Sequence, residues 1–258
     1  MPYETILHTV DGDVATITLN RPDVMNGLNA QMRLEITHAI NHAPQEARVV
    51  VLTGAGRGFC SGQDLGDRGS AADVDLERTL REEYEPMLRA IYDCPIPTIA
   101  AVNGPAAGAG ANLALAADVV IAARSAVFIQ AFARIGLIPD AGGTYWLPRQ
   151  GGFSRAMGAA LFAEPVTAEQ AAAWGMIWEA VPDADFAAVV QSRAAALATG
   201  PTVSYRLIKQ ALRASFANDL DAQLELEAAL QGEAGKTRDF REGVMAFLEK
   251  RAPDYEGR

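Results

Sequence analysis

Val49-Val50-Val51-Leu52-Thr53-Gly54-Ala55-Gly56-Arg57-Gly58-Phe59-Cys60-Ser61-Gly62 is the stretch on which the fold turns. Its leading apolar run is short and unbroken by polar residues, so it reads as a strand buried on both faces. The glycines that follow are too dense for an element interior and describe a loop with a shaped backbone. The arrangement recurs. Thr98 to Val102 reads as a second buried strand and opens into Asn103-Gly104-Pro105-Ala106-Ala107-Gly108-Ala109-Gly110, followed by an Ala/Leu helix ending near Asp118 and a third strand from Val119 to Ala122. Two strands that each end in such a loop can present unpaired backbone N–H groups side by side, the physical recipe for holding an oxyanion. Glycine runs after strands also serve nucleotide binding or merely turn the chain. The second loop, however, lacks the last glycine of G-x-G-x-x-G, and neither loop carries Gly-Lys-Ser/Thr.

Outward from this stretch, apolar and polar residues alternate from Ile6 to Leu19 around Asp11-Gly12, the turn chemistry of a β-hairpin. Asn29 is placed to cap a helix whose apolar positions are Met32, Leu34, Ile36 and Ile40. Leu76, Leu80, Tyr84, Met87, Leu88 and Ile91 recur at helical spacing until Cys94-Pro95-Ile96-Pro97 stops them. From Ser154 onward the periodicity is helical, through Ala168 to Trp174, Phe186 to Ala198, Val203 to Phe216, Leu220 to Leu230 and Phe240 to Leu248. The expected class is α/β, with strand, loop and helix units followed by a helical tail and no low-complexity linker between them.

The chain has 258 residues, half of them hydrophobic, enough for a substantial core. A net charge of −10 argues against a nucleic-acid partner, because a phosphate backbone is neutralised by clustered Lys and Arg. Met1 to Val10 lacks a basic segment followed by an apolar run, and the Ala-rich region from Ile99 to Ala123 is broken by Asn103, Gly104, Pro105 and Asp118. Neither a secretory signal nor a membrane span is expected, which makes the cytoplasm the expected compartment. Cys60 and Cys94 are the only cysteines, which excludes a disulfide framework and a cysteine-rich zinc site.

Phe59-Cys60-Ser61-Gly62-Gln63-Asp64-Leu65 resembles the first signature of the crotonase (enoyl-CoA hydratase/isomerase) superfamily. Ala101-Val102-Asn103-Gly104 through Gly108-Ala109-Gly110-Ala111-Asn112-Leu113-Ala114 resembles the second, and Ile138-Pro139-Asp140-Ala141-Gly142-Gly143-Thr144 the third. Arg241-Glu242-Gly243 through Phe247-Leu248-Glu249-Lys250-Arg251 is similar to the family's C-terminal helix, so the resemblance spans essentially the whole chain. It implies a crotonase-like spiral of strand-strand-helix units over residues 1–195, a helical trimerisation region over 196–258, and homotrimers or homohexamers. It also implies an acyl-CoA thioester substrate, with no metal or other cofactor. The Gln63 and Ala109 N–H groups would form the oxyanion hole, holding the thioester oxygen as its charge grows on loss of the neighbouring proton. Ser61, Gly62, Asp64, Leu65, Gly108 and Phe132 are implied substrate or CoA positions. So are Met25, in a loop near the CoA adenine, and Phe247 and Lys250 on the last helix, which in this family sometimes act across a subunit boundary.

The family's hydratases use two glutamates, at places held here by Asn112 and Phe132, whereas Asp140 stands where some of its isomerases carry their acidic residue. One carboxylate can take a proton from one carbon of a conjugated system and return it to another, so isomerisation is expected rather than hydration. An apolar site would raise its pKa. By residue type alone, Asp140 reads better as a cap of the following helix, and the resemblance is what reverses that order. Gly58 to Leu65, Ile121 to Ala126, Gly136 to Asp140 with Gly142-Gly143-Thr144, and Trp174 to Trp178 resemble the 1,2-epoxyphenylacetyl-CoA isomerase subfamily of bacterial phenylacetate degradation. That subfamily converts a ring epoxide to an oxepin and shifts β,γ double bonds to α,β, and Phe132 would suit its aromatic acyl group. The alternatives are a hydratase in which Asp140 alone activates water, a catalytically silent assembly subunit, and a nucleotide-binding module.

Glu35, His38 and His42 fall at helical spacings that could gather three metal ligands, against the plainer reading of a solvated helix face. Cys60 has no evident base beside it and is expected to pack as a small residue. Asp64 is expected to cap the next segment. Lys250 could meet a phosphate or only water.

Overall fold

Ile6–Asp11 (β1) and Val14–Leu19 (β2) form the expected hairpin. The Asn29 side chain accepts from Met32 N at 2.8 Å and starts Ala30–His42 (α1), which leads to Val49–Gly54 (β3). Beyond the first glycine loop, Leu76–Thr79 (α2) and Glu85–Tyr92 (α3) are joined by a π-helical turn over Leu80–Tyr84. Thr98–Val102 (β4), Ala106–Ala107 (β5) and Ala109–Leu115 (α4) carry the second loop. Val119–Ala123 (β6) and Val127–Ile129 (β7) precede a 3-10 turn over Ala131–Ile135, Gly143–Gln150 (α5) and Phe153–Phe162 (α6). Val166–Thr167 (β8), Ala168–Ala173 (α7) and Glu179–Val181 (β9) follow, then Phe186–Ala198 (α8), Thr202–Ala214 (α9), Leu220–Ala234 (α10) and Arg238–Glu249 (α11). This computed structural model describes residues 3–64, 66 and 75–258; Leu65, one of the expected substrate positions, lies outside them.

The main sheet has the order β1-β2-β3-β4-β6-β9 and is antiparallel only between β1 and β2. Both of its faces are covered, which is why the Val49 run shows no polar alternation. Val50, Leu52, Ala100, Val102, Val120 and Ala122 enter the main core with α1, α3 and α4, while Val49, Val51, Ile99, Ala101 and Ile121 pack against Val190, Ala194 and Ala198 of α8. A second, smaller sheet has the order β5-β7-β8, and Cys60 joins it by a bridge to Ala106. The strands β3, β4 and β6 therefore each pass into a short second-layer strand before turning helical, the expected strand-strand-helix unit.

Two of the apolar helical positions lie outside the core, Leu76 at the start of α2 and Leu34 on α1. Leu34 is exposed, and α1 turns Arg33 and Glu35 inward instead. Their partners decide the phase of the helix: Glu35 accepts from Thr5 N and Oγ1, and Arg33 donates to Leu28 O, Gln63 Oε1 and Glu83. Two buried groups with satisfied bonds outweigh one leucine left in water. The boundary expected after residue 195 falls inside α8, whose Ala198 still packs on the sheet, so the tail proper begins with α9. The tail is fastened to the sheet at Asp118, which pairs with Lys209 Nζ at 2.7 Å and Arg213 Nη2 at 2.6 Å while accepting from Thr98 N. Among the described residues no helix is long and apolar enough to cross a membrane.

Candidate active site

The two glycine loops are stitched together by backbone bonds. Phe59 N donates to Pro105 O at 3.0 Å and Ala107 N to Cys60 O at 2.9 Å. Gly62 sits at φ 91°, and a Cβ there would lie 2.8 Å from Ala107 O and 3.2 Å from Ala109 N, so only glycine lets the Gly62–Gln63 peptide press against the start of α4. The N–H groups of Gln63 and Ala109 are thereby brought to one place, and among the described residues neither donates to an acceptor. Gln63 is held from behind, its Oε1 accepting from Tyr84 OH at 2.7 Å and Arg33 Nη1 at 3.1 Å. Asn26, fully buried at φ 56°, fixes the first loop from inside by reaching the carbonyls of Ala55, Gly58 and Phe59.

Asp140 lies between the 3-10 turn and α5. Its side chain caps nothing: α5 starts from Gly142 without a side-chain cap, and only the Asp140 backbone oxygen takes part, accepting from Gly143 N at 2.8 Å and Asn112 Nδ2 at 2.7 Å. The carboxyl is left with Oδ1 buried and without a hydrogen-bond partner. Burial disfavours its charged form and pushes its pKa up to about 6. Asn112 is itself locked, accepting from Gln130 Nε2 at 2.9 Å, and a Cβ at Gly143 would overlap its amide nitrogen. The asparagine thus holds the backbone of Asp140 from a place where it offers no proton-accepting carboxylate.

Two cavities meet at Asp140, Leu80 and Tyr84. The smaller, about 290 Å³, is lined by Ser61, Gly62, Gln63, Gly108, Ala109, Phe132 and Asp140, which brings most of the expected positions together. Asp140 is the only carboxylate among its described lining residues. The larger, about 530 Å³, is walled by Leu88, Tyr92, Tyr145 and Trp146. A still larger cleft of about 830 Å³ lies among α9, α10 and α11 and contains none of the loop residues.

Other expected positions lie elsewhere. Met25, at φ 52°, ends a short turn and packs its sulfur on Arg57 Nε at 3.2 Å. Asp64 caps the residue pair that follows it, as far as the described residues extend. It accepts from Gly66 N in a local turn and pairs with Arg21 at 2.8 Å. Phe247 is exposed and faces the tail cleft, and Lys250 ends α11 in a left-handed conformation, so within one chain neither reaches the cavities at Asp140. Cys60 is fully buried, its thiol pushed up to about 12 by burial, which removes it as a nucleophile. Glu35 is used by Thr5 and Gln31, His38 accepts from or donates to Tyr3 OH, and no metal-ligand cluster occurs among the described residues.

Sequence reasoning passed over Asn26, Gln130, Tyr92, Tyr145 and Trp146, and it noted Tyr84 only for its helical spacing. The Asn26-Gly27 pair is a turn signal that could have marked Asn26. Nothing local marks the others, because they meet only through the tertiary fold.

The sequence model of the enoyl-CoA hydratase/isomerase family matches residues 9–258. A protein of Rhodobacter capsulatus named "Probable enoyl-CoA hydratase" is 64% identical over the full length of both chains. The 1,2-epoxyphenylacetyl-CoA isomerase of Escherichia coli is 48% identical over 99% of each. Among solved structures, an enoyl-CoA hydratase from Polaromonas superposes with a TM-score of 0.92 at 31% identity, covering 97% of this chain and 99% of that one. With the fold, the paired glycine loops and these relatives in agreement, the chain belongs to the enoyl-CoA hydratase/isomerase family of the crotonase superfamily.

Proposed function

We propose that this protein is an acyl-CoA isomerase whose sole proton carrier is Asp140. One observation carries the reading: the cavity bordered by the unpaired Gln63 and Ala109 N–H groups contains a single described carboxylate, half-buried, with Oδ1 buried and unbonded and its pKa raised to about 6. The two N–H groups take the thioester oxygen, which gains charge as the adjacent carbon loses its proton, so they favour the enolate over the ground state. Asp140 removes that proton and returns it at the far end of the conjugated system. Atoms balance without water: a β,γ-enoyl thioester only moves its double bond, and in a ring epoxide the same proton shift accompanies cleavage of the carbon–carbon bond shared by the two rings, giving the isomeric oxepin. The natural substrate is a 2-(1,2-epoxy-1,2-dihydrophenyl)acetyl-CoA, with β,γ-unsaturated thioesters also turned over; support comes from the Escherichia coli relative and from the aromatic wall next to Asp140. Ser61, Gly62, Gly108 and Phe132 contact the acyl thioester, Met25 and Asp64 flank the CoA, and Phe247 and Lys250 act on it from a neighbouring subunit of a trimer or hexamer.

A second reading, hydration, is favoured by the name of the Rhodobacter capsulatus relative. It needs a water activated and a carbon protonated by one carboxylate, because Asn112 and Phe132 can do neither. The test incubates wild type and Asp140→Asn with a β,γ-unsaturated acyl-CoA in deuterated water, following double-bond position, label and water addition. Wild type should move the double bond, with deuterium entering at the γ carbon only to the extent that the Asp140 proton exchanges with solvent before its return, and the variant should lose on the order of 10²–10⁴-fold in rate. Undiminished isomerisation by the variant ends the mechanism, and a hydroxyacyl product as the main outcome establishes hydration.

A further inference from the structure

Leu28 brackets Gln63 on both sides, donating from its N–H to Gly62 O at 2.8 Å and accepting from Asp64 N at 3.1 Å. Along an extended chain successive N–H groups point to opposite sides, so this bridge turns the Gln63 N–H away from Leu28. Arg33 closes the arrangement from behind. It is fully buried, and its Nη1 donates both to Leu28 O at 2.6 Å and to Gln63 Oε1 at 3.1 Å, while Nε and Nη2 donate to Glu83. Tyr84 OH donates to the same Gln63 oxygen at 2.7 Å, and Gln63 Nε2 donates to Asp64 O at 3.2 Å. Because a guanidinium can only donate, the Gln63 amide has one orientation. Glu83 and Tyr84 are neighbours in the π-helical turn, a form that recurs at functional sites. Here it brings two successive side chains to one guanidinium, the Tyr84 ring lying 4.8 Å from the Arg33 carbon. A buried cation is costly to keep, and this one grips the loop that carries an oxyanion donor.

We propose that Tyr84 is a positioning residue of the oxyanion hole, acting through the Gln63 side chain, with Arg33 sharing the same oxygen. The N–H of residue 63 meets the substrate, and the amide of that residue is the point by which α1 and the π-helical turn hold it in line. This rests on the oxyanion-hole part of the reading above and not on which reaction follows. Without the hold a thioester still docks, since the Leu28 bridge and the cavity walls remain. The N–H then leaves the line on which the thioester oxygen gathers charge, so the loss falls on kcat rather than on KM.

The experiment compares wild type, Tyr84→Phe, Gln63→Leu and the double variant on a β,γ-unsaturated acyl-CoA. Tyr84→Phe removes the hydroxyl and keeps the ring; Gln63→Leu removes the accepting oxygen and keeps the backbone N–H. Tyr84→Phe should lose on the order of 10-fold in kcat, short of the roughly 10²–10³-fold for deleting a donor outright, with KM within about twofold. Gln63→Leu should lose more, and the double variant no more than Gln63→Leu, because the hydroxyl then has nothing left to hold. Losses that multiply in the double variant overturn the inference, since they put Tyr84 on the substrate itself. An unchanged kcat in Tyr84→Phe, or a change in KM alone, overturns it too. A second measurement needs neither turnover nor a folded Gln63→Leu: the infrared stretch of a bound α,β-enoyl-CoA carrying carbon-13 at its thioester carbonyl. The stretch should lie below its solution value in wild type and move back towards it in Tyr84→Phe. The same stretch in both proteins overturns the inference. A wild type that lowers the stretch but isomerises nothing ends the isomerase reading, while the shift in Tyr84→Phe still decides this one.

Discussion

Asp140 carries a carboxyl whose surroundings favour its protonated form. Its value of about 6 against an ordinary 3.8 means that the folded state binds the proton more tightly than the unfolded chain does. The stability it contributes is therefore complete below about pH 4 and is lost as pH rises through about 6. With the carboxylate as the proposed base, kcat/KM for isomerisation should fall about tenfold per pH unit below pH 6, as read from a pH–rate profile. Asp140→Asn removes the buried charge, so its melting temperature should exceed that of wild type at about pH 7.5, with the gap closing near pH 4. A melting temperature lowered at both pH values would show that the carboxylate is structural. The sequence makes Asp140 a candidate, yet its residue type alone fits a helix cap better. What decides between the two is the αL glycine at 142 that starts α5 and the Asn112 amide that holds the Asp140 carbonyl, a contact between segments 28 residues apart.

At the level of elements, the loops do the positioning and the strands hold the loops. Gly62→Ala should cost on the order of 10²-fold in kcat with little change in KM, since its Cβ would push the first loop off Ala107 and Ala109 and splay the two N–H groups. A steady-state comparison on a β,γ-enoyl thioester checks this; unchanged kcat would mean that the loops merely cross. These elements are legible because buried parallel strands leave apolar runs and their glycine loops leave dense punctuation. The hairpin, β3, β4, β6 and the helices of the tail are read directly from pattern, and α8 to the residue. The second sheet is not. Its strands β5, β7 and β8, of two or three residues, are too short to show a period, and their pairing is fixed only once the main sheet has brought them together; β9, at the edge of the main sheet, is hidden by the same shortness. The phase of α1 is hidden for a related reason, because Arg33 is buried for partners 30 and 50 residues away.

Across the whole molecule, the tail presents an apolar surface that one chain does not cover. Leu212, Phe216, Leu220, Phe240, Phe247 and Leu248 are all more than half exposed. Such a face fits the subunit contact proposed above, and sedimentation should find trimers or hexamers in solution. Leu212→Glu together with Phe240→Glu should shift the protein toward monomers; a wild type that already sediments as a monomer would remove Phe247 and Lys250 from the CoA site. The clasp of Lys209 and Arg213 on Asp118 bears on how such an assembly comes about. With α9 anchored to the sheet by two charged contacts within the single chain, the apolar faces of the tail would exist before any partner arrived. Assembly is then a collision of ready-made shapes, its speed governed by orientation rather than by a search through tail conformations, and little ordering entropy remains to be lost at contact.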